Sequence, residues 1–144
     1  MNYVLEHFLD PLRVLARCRE SLEPGGRILI LTPNVNSWAH RVFGRTWSGL
    51  HAPRHTHLFT PRTLELAAKK LGFDEAHAGF VTDPATWAFS FQNRMRAHAP
   101  RGGLARGTAW YSLASLPFWV PAATAERLAG RGGSIVISLS ASSR

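Results

Sequence analysis

The sequence predicts an α/β domain, and two patterns carry the prediction. Short aliphatic runs bounded by glycine or proline recur along the chain, and between them stand polar-proline dipeptides that start helices. Asp10-Pro11 opens the first helix: a carboxylate accepts otherwise orphaned amides, and the fixed φ of proline suits the first helical position. Leu12, Leu15, Cys18 and Leu22 then line one face, to about Glu23. Pro24-Gly25-Gly26 ends that helix, and the run RILILTP over residues 27–33 is a buried strand. Thr60-Pro61 repeats the start signal, Leu64, Ala67, Ala68 and Leu71 continue as a stripe, and Gly72 stops it. Residues 73–81 and 133–141 read as two further strands. Residues 101–107 are the most linker-like stretch, and no internal repeat or low-complexity tract interrupts the pattern.

Composition bounds the function classes. With 144 residues and 45% apolar content the chain is one domain's worth with a real core, not a disordered tail. The single cysteine, Cys18, excludes an internal disulfide and any multi-cysteine zinc or iron–sulfur site, and fits a reducing compartment. Near Met1 no basic stretch precedes a long apolar one, so a secretory signal is not expected and a cytoplasmic location is. The net charge of +8 predicts an anionic partner, nucleic acid or a lipid surface.

Three clusters carry chemistry. Glu6-His7 precedes the first helix, either as a reactive pair or as part of its cap. His55 and His57, with Arg54 beside them and Trp47 shortly before, lie at i and i+2 on an extended segment, so both rings can face one way. That segment is open to three readings: a metal pair lacking a third ligand, a plain surface loop, or a lid over a substrate, of which the lid accounts for most of the composition. Residues 84–125 contain no acidic residue. Arg94, Arg96, Arg101 and Arg106 lead there into the uncharged run GTAWYSLASLPFWVPAATA. Pro117 and Pro121 are expected to break a spanning helix, which leaves a bilayer interface, a lipid-substrate channel or a core helix pair. The arginines lack interleaved aromatics or a reading helix, so no specific nucleic-acid binding is expected.

The same residues resemble a known family. VLEHFLDPLRVLARCRESLEPGGRILILTPN is similar to the half of class I S-adenosylmethionine-dependent methyltransferases that follows the cofactor loop. PRHTHLFTPRTLELAAKKLGF resembles the next segment in the branch containing quinone, lipid and sugar O-methyltransferases, and GRGGSIVISLSA resembles the last strand. The resemblance implies the C-terminal portion of a Rossmann-like sheet lacking the N-terminal cofactor-binding strands. In that family the glycine-rich loop and the acidic cofactor residue precede the LEH segment, and this chain has no GxGxG. It therefore reads as a partial methyltransferase domain over residues 1–144, truncated or split, with a basic-apolar insertion at about 84–130.

The resemblance tips the Glu6-His7 pair toward function, and the composition of the later loop makes it the expected lid over the acceptor. His7 and His55 are the base candidates; Asn2, Tyr3 and Glu6 are what remains of the cofactor side; Trp47, Arg54, His57 and Phe59 face a small or lipid-linked hydroxyl acceptor. S-adenosylmethionine is the cofactor of the complete enzyme and is not expected to bind this chain alone. Related quinone O-methyltransferases carry an acid three positions before their EH pair, associated with a divalent metal. Tyr3 stands there in this chain, and no metal site is expected. The missing strands leave an edge at Ile28 to Leu31 open to self-association or to a complementary N-terminal half. The alternative is a noncatalytic remnant that binds a membrane or a partner.

Overall fold

The computed structural model describes residues 1–98 and 110–141. In chain order its main elements are α1 (Pro11–Glu20), β1 (Arg27–Pro33), α2 (Trp38–Phe43), α3 (Pro61–Lys70), β2 (Glu75–Val81), α4 (Pro84–His98), α5 (Trp110–Ala114), α6 (Leu116–Leu128) and β3 (Ser134–Ser140). Short 3₁₀ turns occupy Leu5–His7, Gly44–Thr46 and Ser48–Leu50. The predicted linker at residues 101–107 lies outside the described residues.

Both helix-start signals act as expected. The Asp10 carboxylate accepts from the Arg13 amide at 3.0 Å, and Thr60 and Thr63 close a reciprocal capping box on α3. Helix α1 stops at Glu20, short of Glu23, because the Ser21 and Leu22 amides already turn back onto Cys18 and Arg19. The sheet order is β1-β3-β2, with β3 antiparallel to both neighbours. Register places Ile28 opposite Leu139, Ile30 opposite Ile137 and Thr32 opposite Ile135, so one face of the central pair is a continuous apolar surface. Leu15 of α1 and Leu64 and Ala68 of α3 cover it together with Leu5 and Phe73. On the opposite face Leu29 is 60% exposed.

The edge of β1 is not bare. Met1 to Tyr3 run parallel to it, the Leu31 amide donating to the Met1 carbonyl at 2.9 Å and the Tyr3 amide to the Leu31 carbonyl at 2.8 Å.

A second core joins the helices: Ala39 and Phe43 of α2, Trp47, Trp87 of α4 and Ala123 of α6. The expectation that Pro121 breaks the chain here is corrected, since α6 runs through it. Pro117 occupies the first turn, where no intrahelical amide is lost, and the aromatic packing around Trp119 compensates the single amide that Pro121 removes. Glu126 is fully buried in the same region and ties the helices together, accepting from the Ala39 amide at 2.8 Å and the Trp87 indole at 2.9 Å.

Candidate active site

The site forms at the carboxyl end of β1, where the parallel segment through Tyr3 and the antiparallel start of β3 also arrive; open α/β sheets bind ligands at this edge. From Tyr3 the chain turns into the 3₁₀ turn Leu5–His7, which buries Leu5 and Glu6 and leaves His7 exposed. Neither Glu6 nor His7 caps α1; that role belongs to Asp10. The Glu6 carbonyl accepts from the Thr56 amide at 2.9 Å and its hydroxyl at 3.1 Å, and the same hydroxyl reaches the Phe8 carbonyl at 2.9 Å. This clamp brings the loop bearing His55 against the turn bearing His7.

The two histidines meet with ring centroids 4.8 Å apart, edge to face. His7 Nδ1 lies 2.9 Å from the Arg54 carbonyl and His55 Nδ1 lies 2.8 Å from the Gly49 carbonyl. A carbonyl only accepts, so in the neutral rings both Nδ1 atoms carry the proton and both Nε2 atoms present lone pairs. Below them lies the Glu6 carboxylate, 1% exposed. One of its oxygens accepts from Thr32 at 3.1 Å, while the other, Oε1, is buried without a hydrogen-bond partner and stands 4.0 Å from His55 Nε2. Gly49 has no room for a side chain, because a Cβ there would collide with the Trp47 ring.

Opposite the histidines is a hydroxyl cluster. The Tyr3 phenol pairs with Ser134 at 2.8 Å and donates to Asp83 at 3.4 Å, and Ser134 donates to Asp83 at 2.7 Å. Asp83 also caps α4 through Thr86. Burial, with the Asp83 charge beside it, pushes the Tyr3 phenol up to about 12, so it stays protonated. Between the two walls is a cleft of about 390 Å³ that Ser48, His51 and Phe89 also line. Partial burial and the neighbouring His55, Arg54 and His7 push the His51 imidazole below its ordinary value. Tyr3 at φ 49° and His51 at φ 30° are the non-glycine residues with positive φ among those described. Both line the cleft, a strain of roughly 1 to 3 kcal/mol each that surrounding contacts must hold.

Of the residues singled out in the sequence, Tyr3, His7 and His55 line this cleft, with Glu6 directly beneath. Arg54 contributes its carbonyl. His57 bonds the Phe8 carbonyl at 3.1 Å and stacks on Phe59, outside the cleft. Trp47, 1% exposed, belongs to the helical core, and Asn2 pairs with β1. His51, Asp83 and Ser134, outside the clusters that the sequence marks, complete the cleft. The four-residue spacing of His51 and His55, and the helix-start dipeptide Asp83-Pro84, were the available signals.

Comparison with known proteins identifies the class. A family model for a methyltransferase domain matches residues 1–78, and the chain belongs to that family. The ubiquinone biosynthesis O-methyltransferase of Cereibacter sphaeroides is 37% identical over 98 residues, covering 63% of this chain and 40% of the relative. Proteins of the same name from Dinoroseobacter shibae and Roseobacter denitrificans are 32% and 31% identical over 98 residues. The chain thus spans about 40% of the length of these curated relatives. Among solved structures, Haemonchus contortus phosphoethanolamine N-methyltransferase 2, bound to phosphomonomethylethanolamine and S-adenosylhomocysteine, superposes with a TM-score of 0.54 at 16% identity, over 99% of this chain and 32% of that one. An S-adenosylmethionine-dependent methyltransferase from Archaeoglobus fulgidus gives 0.53 at 16% identity, over 96% of this chain and 56% of its own. These likenesses show the fold.

Proposed function

We propose that this chain supplies the acceptor side of an S-adenosylmethionine-dependent O-methyltransferase acting on a small or lipid-linked hydroxyl compound. The observation that carries the reading is that His7 and His55, each with its Nδ1 on a backbone carbonyl, line a cleft beside the carboxyl end of the sheet. In methyl transfer the acceptor oxygen forms a bond to the methyl carbon as the carbon–sulfur bond breaks, the sulfonium becomes a neutral thioether, and the hydroxyl proton must leave. His7, the exposed member of the pair, takes that proton at Nε2; His55, held between Gly49 and Glu6, keeps it oriented. The Tyr3–Ser134–Asp83 cluster on the opposite wall positions the acceptor through hydroxyl and carboxylate contacts.

The chain is read as the C-terminal portion of the enzyme, completed by cofactor-binding strands that continue the sheet beyond Met1–Tyr3. Exposed Val4, which follows that segment, and Leu29 of β1 are the apolar surface such strands would cover. A noncatalytic role at a membrane or partner is supported by a different observation, the exposed aromatics of α5 and α6.

The test is kinetic, in a protein carrying the cofactor-binding strands. Replacing His7 by Ala is expected to lower kcat and kcat/KM together by about 10²- to 10⁴-fold, with cofactor dissociation nearly unchanged. His55→Ala is expected to act in the same direction. Undiminished turnover in both variants would remove the pair from the mechanism.

A further inference from the structure

We propose that the helical half of the molecule holds a second ligand site, beside the acceptor cleft, that takes a small phosphate monoester. The site is a cavity of about 670 Å³ lined by the two 3₁₀ turns that follow α2 and by one face of α4. Arg45 and Thr46 come from the first turn, Asn93 and Arg96 from the helix. Among the described residues, His51 is the one that lines both this cavity and the cleft.

Local structure fixes the walls. Asn93, Arg96 and Ala97 stand at i, i+3 and i+4 of α4 and so share a face. Ser48 ties the turns to that helix, its amide donating to the Ser90 hydroxyl at 2.9 Å and its hydroxyl to the Thr86 carbonyl at 3.2 Å. Charge then decides the sign of the ligand. Every described lining residue falls within residues 24–64 or 84–125, and neither stretch contains an Asp or a Glu. The two guanidiniums therefore meet in a cavity without a carboxylate on its own walls. Trp47, which also lines it, is 1% exposed, and its indole N–H, a group that can only donate, is buried with no hydrogen-bond partner. Such a donor is costly to leave unmet, and a ligand oxygen beside it removes that cost.

The donor arrangement favours phosphate over carboxylate. A carboxylate offers its oxygens in one plane, whereas a phosphate monoester presents a pyramid of them and carries close to two charges at neutral pH, so donors from a turn and from a helix can both reach it. The volume accommodates the whole of a small ester, with Leu50 and Ala97 as an apolar wall for its organic part.

The test needs neither cofactor nor methyl acceptor, so it stands apart from the methyl-transfer reading. Phenyl phosphate is titrated into the chain as it exists and followed by calorimetry and by NMR of the histidine and indole resonances. One equivalent is expected to bind at about 1 mM or tighter, shifting His51 and the Trp47 indole while His77, on β2, stays in place. Benzoate should bind about tenfold more weakly. Arg45→Gln and Arg96→Gln should each weaken phenyl phosphate about tenfold, and Arg127→Gln, which removes a charge from the same half without lining the cavity, should change nothing. Circular dichroism shows whether each variant folds; if Arg96→Gln does not, the exposed Arg45→Gln still decides. Absent saturable binding, equal losses in Arg45→Gln and Arg127→Gln, benzoate binding as tight as phenyl phosphate, an unshifted His51, or a response to phosphatidic acid vesicles alone would overturn the proposal.

Discussion

Glu126 shows how much one side chain can hold. A carboxylate at 0% exposure joins α2, α4 and α6, each oxygen receiving a separate donor. Burial raises its pKa above the ordinary value, more than the Ala39, Trp87 and Trp38 hydrogen bonds lower it. The folded protein therefore keeps the proton over a pH range in which the unfolded chain has released it. Stability from this group is fully present below the ordinary carboxyl range and is lost as pH rises through the raised folded-state value. Glu126→Gln remains neutral throughout and retains one acceptor. It should cost about 1 kcal/mol at low pH, while the gap to wild type narrows as pH climbs. Thermal melts of the two proteins across that window check this; parallel curves would show that Glu126 does not titrate there. The strained backbone at Tyr3 and His51 makes the complementary point, since positive φ falls on residues of the cleft.

At the scale of elements, the helices between β2 and β3 differ from those that cover the sheet. Helices α1 and α3 each bury one apolar stripe. Helix α6 instead packs Ala123 and Glu126 inward and exposes Phe118 at 73%, while α5 exposes Trp110 at 79% and Leu113 at 53%. No described helix is long and apolar enough to cross a membrane. An exposed aromatic surface beside the basic end of α4 has the components of an interfacial anchor. Sedimentation with anionic vesicles is expected to capture the protein at low salt and release it at high salt. Replacing Trp110 and Phe118 together by Ser, both highly exposed, should abolish capture without lowering the melting temperature. Capture that persists would place the contact elsewhere. Arg101 and Arg106, part of the basic stretch in the sequence, lie outside the described residues.

For the whole molecule, the sheet organises the consequences. Met1 to Tyr3 add a parallel segment to β1, and the histidine–tyrosine cleft opens where these two segments end. The chain covers two fifths of its curated relatives' length, and the sequence contains no glycine-rich cofactor loop. Calorimetric titration of this chain with S-adenosylmethionine is expected to yield no stoichiometric binding, whereas a protein extended by cofactor-binding strands should bind at micromolar strength, about 8 kcal/mol. Micromolar binding by the chain alone would contradict the assignment of the cofactor cradle to other strands.

The α/β class, both capped sheet-side helices and the three strands were legible in the sequence, because caps, proline positions and aliphatic runs are local. Strand Arg27–Pro33 coincides with its aliphatic run, and Asp10 and Thr60 act at the helix starts where they stand. The histidines at 7 and 55 were legible as reactive side chains. Their meeting was not: it depends on Thr56 clamping the Glu6 and Phe8 carbonyls, contacts that span 50 and 48 residues. The same limit hid Ser134, which reaches Tyr3 across 131 residues. The helix through Pro121 likewise required the tertiary structure, in which Trp119 stacks on Trp87 and Glu126 bonds the same indole, contacts that no local pattern signals. Short-range chemistry determined the elements, and long-range hydrogen bonds and burial decided which side chains share a site.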